Sequence, residues 1–326
     1  INMAVQFFIL VAGLLLILLG ANYLVDGASS IAKKFGLSEF IIGVTIVGIG
    51  TSAPEMVVSI LSAIQGKADM AIGNIVGSNI FNTFVILGIT ALISPLVITK
   101  DSLKRDLPLN ILVTGLLILL GMKSTIFGFG SDNLTRVDGI IMLAIMFLYF
   151  RLLLRKPKGG IELQEVEEPE EATKVFSTGK SIVFILLGLL GLVFGGRIFV
   201  NSATEIAVHY GMSQKFIALT IMAAGTSLPE LATSVVAAVK GRGQLALGNV
   251  LGSNISNILL ILGGSALIHP LSFASMNPID LGLVMIGAIL MLTSAYTFKS
   301  FKLDRIEAAI LLLLYLGYMT LLMIEL

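Results

Sequence analysis

Two glutamates, Glu55 and Glu230, lie in the middle of apolar segments long enough to cross a bilayer, each directly behind a proline. Their surroundings are near copies. Gly50-Thr51-Ser52-Ala53-Pro54-Glu55 returns 175 residues later as Gly225-Thr226-Ser227-Leu228-Pro229-Glu230. The chain has 20 acidic residues, and the others fall in polar connections or near segment ends. A carboxylate left charged at the bilayer centre costs about 2.5–3.5 kcal/mol, and no lysine or arginine sits at that depth to pair with these two. A single such glutamate can be a protonated side chain bonded to a neighbouring helix. Two at equivalent positions of a repeat point to a partner taken from solution, a cation.

The flanking residues fit that chemistry. Pro54 has no N–H for the Gly50 carbonyl, so the helix loosens there, and a loosened backbone inside a membrane must face a cavity or an ion. Thr51, Ser52 and Glu55 are three and four residues apart, so they share one side across the break. Thr226, Ser227 and Glu230 repeat the arrangement. A second duplicated motif, Gly73-Asn74-Ile75-Val76-Gly77-Ser78-Asn79-Ile80-Phe81-Asn82, returns as Gly248-Asn249-Val250-Leu251-Gly252-Ser253-Asn254-Ile255-Ser256-Asn257. Ser78 with Asn82, and Ser253 with Asn257, are four apart and face the pathway together. Asn74, Asn79, Asn249 and Asn254 read better as hydrogen bonds between helices, and the glycines four apart as close-packing positions.

Every candidate donor is an oxygen. Soft and borderline metals call for Cys or His, but cysteine is absent, His209 lies in a connection and His269 near a segment end. Two bidentate glutamates and two freed carbonyls supply six oxygens, within the 6–8 that calcium takes, whereas magnesium demands a tighter octahedron. Sodium is close to calcium in size. A site of charge −2 holds one calcium or several sodium ions but not comfortably both, which is the exclusion that exchange requires.

The elements that must position these groups follow from hydropathy. With 56% hydrophobic and 13% charged residues and a mean hydropathy of +1.00, the chain is no ordinary soluble domain. Ten spans are expected: 3–24, 40–65, 70–97, 107–122, 137–154, 181–200, 216–239, 244–271, 279–298 and 306–324. They divide into a first five-helix repeat (1–154), an acidic linker (155–180) and a second repeat (181–326). The linker carries six glutamates without the spacing of a calcium loop and reads as solvated chain. The first span lacks the basic start and cleavage site of a signal peptide. Five spans per repeat is an odd number, so the second repeat must be inverted. With both termini outside and the linker cytoplasmic, 16 of the 21 lysines and arginines lie on the inner face, as positive-inside orientation requires. Inverted repeats of this kind place a transport site at the midplane.

At these motifs the chain resembles the calcium/cation antiporter superfamily, and within it the prokaryotic Na+/Ca2+ exchangers; the likeness covers nearly the whole chain. The resemblance implies an all-α membrane protein of ten transmembrane helices in two inverted five-helix repeats, with helices 2, 3, 7 and 8 broken around a midplane ion site. It implies ligands at Thr51, Ser52, Glu55, Ser78, Asn82, Thr226, Ser227, Glu230, Ser253 and Asn257, with backbone ligands near Gly48 and Ala223. It implies three or more Na+ exchanged for one Ca2+ by alternating access, the first and sixth spans sliding across the other eight, with no enzyme activity and no cofactor. Its partners would be Ca2+, Na+ and the lipid of a prokaryotic cell membrane, with no nucleic acid, and one chain can act alone. Some family members carry aspartate where this chain has Asn257, and that departure argues against potassium co-transport. An H+/Ca2+ antiporter using the same two glutamates is the alternative. A channel fits the broken, inverted repeat less well, and a hydrolase lacks a central base.

Overall fold

The structure, a computed structural model, describes residues 3–128, 130–154, 175–212, 221, 223–274, 276–297 and 301–324. Among them, five helices are long and apolar enough to cross a membrane singly: Met3–Phe35, Ala68–Ile93, Thr178–His209, Gly243–Ile268 and Arg305–Ile324. The pair Glu39–Thr51 and Ala53–Ile64, bent by 50° at Ser52, is together long and apolar enough to make a sixth. Leu107–Gly121, Arg136–Leu153, Leu228–Val239 and Pro278–Thr293 complete the larger helices.

Local chemistry sets these ends. Ser38, Thr135, Ser177 and Asn277 each accept a backbone N–H in the first turn of the following helix, which satisfies otherwise orphaned donors. Gly36 and Gly66 stop the first two segments with φ of 63° and 68°, and their counterparts Gly211 and Gly241 do so with 76° and 69°. Only glycine adopts that left-handed turn without strain. In the connection after Leu107–Gly121, Asp132 accepts from the Thr125 hydroxyl at 2.6 Å and from the Ser124 and Thr125 amides. The Thr125 hydroxyl first, then the amides, hold its carboxyl below the usual range.

Two short antiparallel ribbons tie connections together: Leu96–Val97 with Lys302–Leu303, and Asn133–Leu134 with Leu271–Ser272. Leu96 and Leu271 are counterparts in the duplicated sequence, so each repeat lends the other the same pairing.

Two expectations need correction. The third and eighth spans are not broken. Ala68–Ile93 and Gly243–Ile268 run through continuously, each with one wide π turn, at Phe81–Ile86 and at Asn257–Leu262. Neither helix contains proline, so the backbone keeps its bonds by shifting register and not by stopping. The sixth helix also starts earlier than Ser181, at Thr178 behind the Ser177 cap, which takes the end of the expected linker. Most of that linker, and the first part of the expected seventh span, lie outside the described residues.

Met3–Phe35 and Thr178–His209 pack antiparallel along their length through glycines spaced seven apart. A Cβ on Gly20 would stand 2.7 Å from the Leu192 nitrogen and 2.8 Å from the Gly188 carbonyl oxygen; Gly13 and Gly195, and Gly27 beside Ser181, meet in the same way. Close backbone approach through small residues holds helices together where lipid removes the hydrophobic drive. We expect Gly20→Ala to destabilise the protein by about 1–3 kcal/mol, the scale of overpacking, read as a lowered unfolding temperature in detergent. Gly282→Ala, where nothing lies within 4 Å, should show no such loss.

Candidate cation site

The two breaks place Glu55 and Glu230 in the first turns of Ala53–Ile64 and Leu228–Val239, each with a proline in that turn. Both side chains are 0% exposed. Each carboxylate is held by the serine of the other motif. Ser227 Oγ donates to Glu55 Oε1 at 3.1 Å, and Ser52 Oγ donates to Glu230 Oε1 at 2.9 Å. This cross-bracing brings the duplicated halves to one centre.

The third and eighth spans complete the surroundings. Ser78 Oγ lies 3.3 Å from Glu55 Oε1 and 3.1 Å from Ser227 Oγ. Asn257 Nδ2 donates to Ser78 Oγ at 3.2 Å and to Asn79 Oδ1 at 3.0 Å, and Asn82 Nδ2 donates to Asn254 Oδ1 at 3.2 Å. Asn82 and Asn257 stand in the π turns of their helices. Thr51 Oγ1 reaches Val47 O at 3.0 Å and Asn249 Oδ1 at 3.1 Å. Ser253 Oγ donates to the Gly48 carbonyl at 3.2 Å. Thr226 lies in the turn before Leu228–Val239, and Ala223 begins the short helical turn Ala223–Gly225. The Gly48 carbonyl also accepts the Ser52 amide at 3.2 Å, so it is an engaged group and not a freed one.

Two of the asparagines expected to hydrogen-bond between helices do so, and one partner of each is the backbone of the acids themselves. Asn74 Nδ2 donates to the Glu55 carbonyl at 3.1 Å and to Ser59 Oγ at 3.0 Å. Asn249 does the same to the Glu230 carbonyl at 3.2 Å and to Ser234 Oγ at 2.9 Å. Each asparagine pins the break of its own repeat. The signal was the Asn of both Gly-Asn motifs, 19 residues after the acid in each copy.

Four buried oxygens in this web accept no hydrogen bond: Glu55 Oε2, Glu230 Oε2, Asn82 Oδ1 and Asn257 Oδ1. Leaving such atoms unpaired costs about 1–3 kcal/mol each, more for charged groups. They form two equivalent pairs, one carboxylate and one amide oxygen from each repeat. That donor set suits a hard cation. Among the described residues no three His, Cys, Asp or Glu side chains cluster, so neutral oxygens must complete any shell around the two acids. His209 and His269 are exposed and stand apart from this set.

A bundle of apolar helices enclosing paired carboxylates is the build of an integral membrane transporter, not of an enzyme. The sequence profile described as Sodium/calcium exchanger protein matches residues 5–155 and 180–324, and the chain belongs to that family. It is 40% identical over 319 residues to the putative antiporter CaxA of Alkalimonas amylolytica, covering 97% of each chain. It is 36% identical to the sodium/calcium exchanger MaX1 of Methanosarcina acetivorans, covering 98% of each. Its fold matches the solved sodium-calcium exchanger NCX_Mj, soaked with Na+ and Sr2+, with a TM-score of 0.82 at 30% identity over 98% of both chains. The exchanger family moves Na+ and Ca2+ and uses no cofactor.

Proposed function

We propose that this chain exchanges several Na+ for one Ca2+ by alternating access, electrogenically and without potassium. The observation that carries the reading is the pair of fully buried glutamates, each holding one oxygen to hydroxyls and leaving the other without a donor. Oxygens so placed favour an incoming cation, and two carboxylates balance one Ca2+. Glu55 and Glu230 are the anionic ligands in this reading. Thr51, Ser52, Ser78, Asn82, Thr226, Ser227, Ser253 and Asn257 supply neutral oxygens, with the backbone of Gly48 and Ala223 beside them. Asn82 and Asn257 are both amides, so no third fixed charge is present to accompany a potassium ion.

The architecture proposed with it has ten spans in two inverted repeats, both termini outside, the linker in the cytoplasm, and a prokaryotic cell membrane as its home. The reciprocal ribbons, the matched glycine caps and the crossed Ser–Glu bonds support the inverted pairing. A single chain carries the full ligand set. The first and sixth helices, joined along their glycines, are the elements expected to slide together.

Purified protein in vesicles tests this. An outward-directed sodium gradient, with no potassium present, should drive calcium uptake, and collapsing that gradient should stop it. A pH gradient alone should drive none. Uptake that follows the pH gradient and ignores sodium would establish the H+/Ca2+ alternative. An absolute need for potassium would show that Asn257 had been misread.

A further inference from the structure

The duplicated Gly-Asn motifs end on Asn82 and Asn257, and the amides of these two residues are turned by different anchors. On one arm, Asn79 Nδ2 donates to the Asn254 backbone carbonyl at 3.1 Å, and Asn79 Oδ1 accepts from Asn257 Nδ2 at 3.0 Å. A backbone carbonyl only accepts, so every amide on this arm has one possible orientation. Asn257 Oδ1 is the atom left without a donor.

The other arm ends differently. Asn254 Nδ2 donates to Thr83 Oγ1 at 2.8 Å, Asn254 Oδ1 accepts from Asn82 Nδ2 at 3.2 Å, and Asn82 Oδ1 is left over. This arm ends on a side chain, so it is only as fixed as that side chain. The counterpart of Thr83 in the second repeat is Ile258, which has no hydroxyl. Thr83 is therefore an anchor that the duplication did not supply twice.

Thr83 is itself held in place. It is 3% exposed, and a Cβ on Gly287, in Pro278–Thr293, would stand 2.9 Å from its Cγ2 methyl. The bare glycine seats the methyl, and a β-branched side chain is stiff at χ1. The hydroxyl is thereby kept against Asn254.

We infer that Thr83 is a positioning residue for the ion site: through Asn254 it holds Asn82 with its oxygen, and not its NH2 group, free for a cation. The inference rests on the antiport reading above, and it gives Thr83 no contact with the ion. Without the hydroxyl, Asn254 loses an anchor and Asn82 loses its fixed acceptor. The other unpaired oxygens of this web are Glu55 Oε2, Glu230 Oε2 and Asn257 Oδ1, so a released Asn82 NH2 group competes with the cation for them.

Equilibrium binding of radioactive Ca2+ to the purified protein in detergent, without Na+, reads the effect apart from transport. Thr83→Val keeps the shape and removes the hydroxyl. It should weaken Ca2+ binding by about 3- to 10-fold, the scale of one hydrogen bond, and Thr83→Ser should restore most of that loss. Asn82→Ala removes the oxygen itself, so adding Thr83→Val to it should cost nothing more. Adding Thr83→Val to Asn257→Ala should still cost the full factor, because that arm has its own anchor. Thr83→Ala takes the place of Thr83→Val if the latter does not fold. Binding by Thr83→Val equal to the parent's, or an equal added loss in both alanine backgrounds, would overturn the inference; intact sodium-driven calcium flux in vesicles would then leave the antiport reading standing. Conversely, a parent whose calcium flux follows a pH gradient and ignores sodium removes the antiport reading, while the pattern of Ca2+ binding still decides the role of Thr83.

Discussion

Glu55→Gln and Glu230→Gln each abolish calcium transport while leaving the protein folded; this is the largest effect expected of any single substitution here. Each change removes half the fixed charge that balances Ca2+ and replaces an anionic oxygen that calcium prefers with a neutral one. Truncating one member of a buried charge pair costs about 2–5 kcal/mol, or roughly 30- to 5,000-fold in affinity. Folding survives for a local reason. Glutamine keeps the acceptor oxygen that Ser227 and Ser78 reach in one case and Ser52 in the other. A neutral amide also costs less at mid-membrane than an unpaired acid. Flux in proteoliposomes, with monodispersity in detergent as the folding check, measures both. Near-normal exchange in either variant would remove these glutamates from the centre of the mechanism.

Membrane potential should bias the exchange strongly. Three Na+ against one Ca2+ moves one net charge per cycle, worth about 2.3 kcal/mol per 100 mV, or roughly 50-fold in the equilibrium calcium ratio. With both ion gradients clamped, a potential set by an ionophore should shift the null point of calcium flux in that proportion. A null point that ignores voltage would mean that two Na+ balance each Ca2+.

How much of this was legible beforehand can be read from particular residues. Glu55 and Glu230 stood out because a charged group in an apolar span is costly and these two are duplicated. The bend at Ser52 followed from Pro54, whose missing N–H is a property of the residue itself. The glycine stops at Gly36, Gly66, Gly211 and Gly241 were not read from the sequence; their left-handed backbone emerged only in the fold. The continuity of the third and eighth spans was not legible. A glycine-rich, asparagine-rich helix can stop or widen, and the choice depends on bonds to i+5 partners that no residue type announces.

The tertiary structure alone decided which partner each polar group takes. Sequence spacing put Ser52 and Glu55 on one side, but Ser52 bonds to Glu230, a choice made by how the two halves cross. Asn74 and Asn249 read as hydrogen bonds between helices, but that their acceptors are the Glu55 and Glu230 carbonyls was hidden, because a spacing of 19 residues carries no meaning until the helices lie side by side.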